Sequence, residues 1–225
     1  VQIQEVVEML KASSRPLIWL GHGIRLANAT HLIEPLLNEL QVPAIVSWAG
    51  IDMVDSGHPL IYGRAGVYGQ RSANFVLQNC DYLLAIGTRL AIPQVGYDLS
   101  ELARDAVIDV VDIDEDEARK HQARVRSSIV CDAKDFIKML DERLQQQALS
   151  PKEAWIKQCD LYRQRFPWVD KEHDDKEDFM NSYRFMERLN QFFKPNQVVV
   201  TDMGTALLSG HQVLRMKKGQ RLMTS

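Results

Sequence analysis

Along the first 147 residues, short apolar runs alternate with stretches of helical periodicity, the pattern that a parallel α/β sheet requires. Residues 16–20 (PLIWL) are apolar throughout and stop at Gly21, as a strand covered on both faces must be. Over residues 27–40, Leu32, Ile33, Leu36, Leu37 and Leu40 recur at helical spacing, and Pro35 inside that run is expected to kink it. Residues 43–47 predict a second strand. An irregular segment, 48–69, follows and carries five of the twelve glycines. Residues 70–79 restore a helix, and 81–86 (DYLLAI) make a third strand. Residues 106–113 (AVIDVVDI), rich in β-branched side chains, give the clearest strand of all. A short fifth strand over 128–130 leads into a helix over 133–147 with Phe136, Ile137, Leu140 and Leu144 on one face. Residues 1–150 therefore predict a doubly wound, mostly parallel α/β sheet, whose right-handed crossovers place ligands over the carboxyl ends of the strands.

After Ser150-Pro151 the composition shifts. A helix is expected over 151–166, with Pro151 tolerated in its first turn. Residues 169–178 (VDKEHDDKED) hold six acids and two lysines, and 151–180 reads as a helix followed by a solvated acidic linker. A metal site there would need an ordered ligand spacing, and none is visible. Residues 181–193 predict another helix, with Phe185, Leu189, Phe192 and Phe193 apolar. Residues 197–201 (QVVVT) predict a buried strand, 205–214 a helix and 221–224 the start of a further strand. Residues 181–225 thus look like a second α/β unit, begun and incomplete.

Composition narrows the class. A chain of 225 residues, 45% hydrophobic and 25% charged, has the apolar material for a sizeable core and is not a disordered polymer. The 27 Lys and Arg against 30 Asp and Glu leave a net charge of -3, which disfavours a nucleic-acid partner. Cys80, Cys131 and Cys159 are scattered and odd in number, which fits reduced thiols in a cytoplasmic protein. No apolar stretch approaches the ~18 residues of a membrane span. The opening VQIQEVVEML reads as an amphipathic helix and not a signal peptide. Because the first residue is Val1, a piece of a longer protein is expected.

Candidate chemistry gathers in the turns. Gly21-His22-Gly23-Ile24-Arg25 follows the first strand directly. Gly23 would let the backbone approach a phosphate and Arg25 would add a charged contact; a tight turn with a surface arginine explains the same residues. The dinucleotide fingerprint fails, since its third glycine falls on Leu26 and the second strand ends at Ser47-Trp48 without an acid. Gly63 to Gly69 concentrates three glycines in seven residues, enough for close ligand approach or for loop flexibility. Gly87-Thr88-Arg89 sits at the carboxyl end of its strand. Asp112-Ile113-Asp114 ends the strongest strand, where a carboxylate can bind ribose hydroxyls or cap the next helix. Asp132 before Ala133 reads first as an N-cap. Neither a zinc spacing among the six histidines, nor a nucleophile elbow, nor a P-loop lysine motif occurs. The residues alone therefore support a nucleotide-binding α/β module with no catalytic or metal-ligating group of its own.

In order, RPLIWLGHGIRLANA, VPAIVSWAGIDMVDSGHPLIYGRAGVYGQRSAN, CDYLLAIGTRL, VVDIDEDEARK and VCDAKDF resemble the central domain of thiamine-diphosphate-dependent enzymes, nearest to acetolactate synthase large subunits. VVVTDMGTALLSGHQVL resembles the opening of their C-terminal, diphosphate-binding domain. The resemblance implies a Rossmann-like central domain and a parent enzyme that uses thiamine diphosphate and Mg²⁺ on a 2-oxo acid, working as a homodimer or homotetramer. It implies FAD, ADP or no nucleotide on the central domain. The matching positions are Gly23, Arg25, Ser47, Trp48, Ala49, Ala65, Gly66, Val67, Tyr68, Gly69, Gly87, Thr88, Arg89, Asp112, Ile113, Asp132 and Ala133, with Gly204 and Thr205 where the backbone approaches the diphosphate. Two departures stand out. Val67-Tyr68 replace a Met-His step, and Leu90-Ala91-Ile92-Pro93 replace an acidic and basic stretch. The other class of reading is a free-standing module that senses a nucleotide without catalysis.

Overall fold

A computed structural model describes residues 2–224. Helix α1 (Gln2–Ala12) buries Val6, Val7 and Leu10, and leads through a short turn into β1 (Pro16–Leu20), every residue of which is buried. Next come a single turn of helix, α2 (Gly23–Leu26), and α3 (Ile33–Leu40). The one helix expected over 27–40 is therefore interrupted. Asn28 adopts a left-handed φ of 53°, and the chain restarts through a 3₁₀ turn at Thr30–Leu32. Pro35 falls in the first turn of α3, where its missing N–H has no partner to lose, so the expected kink does not form.

Strand β2 (Ala44–Val46) is followed by the irregular glycine-rich segment and α4 (Arg71–Asn79). Then come β3 (Tyr82–Ile86), a short α5 (Ile92–Val95), β4 (Val107–Asp112), α6 (Glu115–Arg119), β5 (Ser127–Val130) and α7 (Ala133–Gln146). The five strands form one all-parallel sheet in the order β2-β1-β3-β4-β5. Alternation along β1 decides which layer each side chain joins. Ile18 and Leu20 pack with α1, α3 and α7, whereas Leu17 and Trp19 pack with α4 and α8 (Glu153–Arg165). The register is flush at the carboxyl ends: Leu20 lies beside Val46 and Ile86, and Ile86 beside Val111. One buried acid interrupts the sheet. Asp109 accepts Tyr82 Oη–H at 2.8 Å and the fork of Arg126, so its charge is paired where it is buried.

Past α8 the acidic segment is laced to α9 (Ser182–Asn190). Arg184 pairs with Asp174, and Arg188 with Asp175 at 3.1 Å. Strand β6 (Val198–Thr201), α10 (Thr205–Val213) and β7 (Arg221–Thr224) complete a small parallel sheet. The burial expected for residues 197–201 is not found. Val198 and Val200 are 54% and 72% exposed, because no described element covers that face of the two-stranded sheet. Leu214, Met216 and Leu222 close on Ile51, fastening this unit to the segment after β2. Among the described residues no helix is long and apolar enough to cross a membrane.

Candidate functional site

The strand order reverses between β1 and β3, and a crevice at such a switch point lies beyond the carboxyl ends. The turns after β1 and β3 meet there. Gly21 N–H donates to the Ile86 carbonyl at 2.8 Å, and Gly23 N–H to the Gly87 carbonyl at 2.9 Å. A Cβ on Gly21 would sit 2.1 Å from the Gly87 oxygen, and one on Gly23 would sit 2.9 Å from Gly87. Gly87 itself turns with a φ of 59°. These glycines let two turns touch backbone to backbone, and that contact forms the floor of the site.

Above it opens a cleft of about 760 Å³, within the range of small-molecule and cofactor sites. Its walls gather Gly23, Ser47, Trp48, Ala49, Gly87, Thr88, Arg89, Asp112, Ile113, Asp132 and Ala133. Residues from the ends of all five strands thus converge, although the sequence separates them by more than a hundred positions. Ala65, Gly66, Val67, Tyr68 and Gly69 stand beside it. Gly66 is clasped by the Asn74 side-chain amide, Val67 N–H donates to the Pro93 carbonyl at 2.9 Å, and the Tyr68 ring lies 5.5 Å from Trp48. Arg25 is turned away, its guanidinium 2.5 Å from Asp52. Gly204 and Thr205 lie on the other sheet, at the start of α10.

The carboxylates divide their work. Asp114 caps α6 through the N–H groups of Asp116 and Glu117, and Asp132 caps α7 through that of Lys134 at 2.8 Å. Asp112 accepts the Asp114 N–H at 3.0 Å with Oδ1. For Asp112 and Asp132 alike, the second oxygen takes no hydrogen bond among the described residues. Arg89 reaches across the mouth to Glu117; that hydrogen bond, with help from Lys120, pulls the Glu117 carboxyl down to about 2. In the wall, Ser47 Oγ and Trp48 Nε1 are covered by protein and have no hydrogen-bond partner among the described residues. At the rim, Leu26 and Ile113 are 80% and 68% exposed. Two aliphatic side chains left in water beside a cleft suit a flat apolar group between them.

Sequence reasoning missed Leu26, Gln94, Glu117 and Cys131. Leu26 looked like a failed glycine of a fingerprint. Gln94, which donates to the Thr88 hydroxyl at 3.1 Å, and Glu117 carry no local motif. Cys131 had a signal, its place one residue past a strand end. Among the described residues no group of three or more His, Cys, Asp or Glu could hold a metal ion.

Fold and cleft together define a parallel α/β protein with a ligand-sized site at its topological switch point. The model of the thiamine pyrophosphate enzyme central domain matches residues 3–140, and the chain belongs to that family. It is 30% identical over 211 residues to a probable acetolactate synthase large subunit of Methanocaldococcus jannaschii, an alignment covering 91% of this chain and 35% of that protein. It is 26% identical to the acetolactate synthase large subunit of Cyanidium caldarium, over 100% of this chain and 38% of the relative. With the acetolactate synthase isozyme 2 large subunit of Escherichia coli K12 the identity is 25%, over 100% of this chain and 39% of the relative. The chain therefore spans little more than a third of the length of these relatives.

Proposed function

We propose that this chain is the nucleotide-binding and orienting part of a thiamine-diphosphate-dependent enzyme that decarboxylates a 2-oxo acid and joins the remainder to an acceptor, as an acetolactate synthase does. The observation that carries this reading is the cleft at the switch point, in a chain of the thiamine pyrophosphate enzyme family. An adenine nucleotide is its ligand, FAD first and ADP second. The free oxygens of Asp112 and Asp132 accept the ribose hydroxyls, and Leu26 and Ile113 cover the base. Gly87, Thr88 and Arg89 border the phosphates, and Arg89 exchanges Glu117 for them.

Gly204 and Thr205 are the residues of this chain that would hold the diphosphate of thiamine diphosphate. The fit rests on two observations: Gly204 has a φ of 101° with nothing within 4 Å of a Cβ, and it opens a helix whose first N–H groups are unpaired within the helix. When bound, thiamine diphosphate supplies the electron sink for loss of CO₂. The Mg²⁺ expected with it finds no ligand set among the described residues. No described residue is assigned the proton transfers of the reaction, so the isolated chain is expected to be inactive, with a homodimer or homotetramer as the working form of the whole enzyme.

Calorimetric titration of the purified chain with FAD and with ADP tests the reading. Binding of either at one site supports it, and FAD binding would also give flavin absorbance. A colourless protein that takes up neither would overturn it.

A further inference from the structure

Helix α10 ends inside the protein, where its last carbonyls have no N–H of their own helix to meet. Two side chains from the glycine-rich segment take them. Arg64 Nε–H donates to the His211 carbonyl, and Arg64 Nη2 donates to the Leu214 carbonyl at 3.1 Å. Gln70 Nε2 donates to the Gln212 carbonyl at 2.6 Å, while its Oε1 accepts the Arg64 N–H at 2.8 Å. The two side chains are thus one unit.

Arg64 is 1% exposed, and no carboxylate is among its hydrogen-bond partners. A buried cation normally demands a counter-ion. Here the negative end of the α10 dipole stands in for one, together with the Trp168 ring 4.8 Å away. Arg215, an exposed residue, stacks on the same ring at 4.1 Å, so carbonyls and one indole are what face the buried Arg64 guanidinium. A purely apolar contact would bury this interface at less cost; forked donors on carbonyls fix direction as well as distance.

The same segment runs on to Tyr68, against Trp48 of the cleft wall, and the His211 ring lies 5.9 Å from that indole. The clasp therefore lies between the cleft and the far end of α10, where Gly204 and Thr205 stand.

We propose that Arg64 and Gln70 are positioning residues that clasp the end of α10 to the wall of the cleft, so that filling the cleft steadies α10 and the Gly204–Thr205 turn at its start. The importance of that turn rests on the function proposed above; the clasp does not.

Hydrogen exchange of the amides of residues 208–213, which are bonded within α10, tests this in the 225-residue chain, compared with Arg64→Met and Gln70→Ala. Without ligand, both variants should exchange these amides at least tenfold faster, with α4 and α7 unchanged as a control for folding. With saturating ADP as the probe, the wild type should gain at least threefold protection of α10. Arg64→Met should gain almost none while binding ADP within threefold of wild-type affinity. Wild-type exchange of α10 in both ligand-free variants overturns the clasp, and equal protection by ADP in Arg64→Met and wild type overturns the coupling. Should Arg64→Met also disturb α4 and α7, the milder Gln70→Ala decides. If the wild type binds no ADP, the cleft reading fails on its own account and the ligand-free rates alone judge the clasp.

Discussion

Asp52 accepts Arg25 on one carboxylate oxygen, at 2.5 Å, and Arg221 on the other, at 2.9 Å. The Leu222 N–H adds a third contact at 2.9 Å. One buried acid therefore joins the turn after β1 to strand β7. It also explains why Arg25 faces away from the cleft: a carboxylate whose side chain is only 2% exposed needs both cations.

Replacing Asp52 by Ala should cost about 3 kcal/mol, the low end of the usual loss when one partner of a buried pair is removed, because the Arg25 and Arg221 side chains keep 19% and 39% exposure. Urea unfolding followed by tryptophan fluorescence checks this. Asp52→Asn should cost less, since an amide still accepts the Leu222 N–H. A midpoint unchanged in Asp52→Ala would show that Arg25 can reach water.

Gly21→Ala should be far more damaging than Gly96→Ala. The added methyl at position 21 would meet the Gly87 carbonyl, backbone that cannot swing aside, and should cost about 3 kcal/mol or more. At Gly96 nothing lies within 4 Å, so only the φ of 80° is penalised, about 1 kcal/mol. Thermal unfolding of the two variants side by side gives the comparison.

How much of this was legible in the sequence follows from what each pattern encodes. Strands β1 and β3 were readable because a strand buried on both faces must be apolar throughout, as Pro16–Leu20 and Tyr82–Ile86 are, and β4 through its β-branched residues despite Asp109. The break at Asn28 was not, because the apolar spacing runs on through Leu32 and only a left-handed φ marks the interruption. The exposure of Val198 and Val200 was not either, since a run of valines records the burial a strand is suited to and not the elements that cover it. In the site, the turns at strand ends could be read from position alone. The pairings Arg25–Asp52 and Arg89–Glu117 could not, because residues about thirty positions apart meet only through the sheet register.

The Arg89–Glu117 pair predicts an acid-side effect of definite sign. The folded carboxyl titrates at about 2, against 4.5 when free. Its contribution is therefore fully present above about pH 4.5 and is lost as the pH falls towards 2. Urea midpoints measured from pH 5 to pH 2.5 should fall less steeply in Glu117→Gln than in the wild type. Identical slopes would mean that solvent screens the pair completely.

The cleft offers a chemical readout that does not depend on knowing the ligand beforehand. Burial raises all three thiols, that of Cys80 to about 12, but only Cys80 and Cys159 are fully enclosed. Cys131 lines the cleft and is only partly buried, so an aromatic disulfide reagent should modify it well before the other two in the native protein. FAD or ADP seated in the cleft should slow that modification. Leu26→Asp and Ile113→Asp should each raise the nucleotide concentration that gives half-protection. Both side chains are exposed, so stability should change by no more than about 0.5 kcal/mol. Losing the aliphatic cover of a base, worth about 1.5 kcal/mol or more, should weaken binding about tenfold. Half-protection at an unchanged nucleotide concentration in both variants would place the nucleotide elsewhere along the strand ends and remove Leu26 and Ile113 from the site.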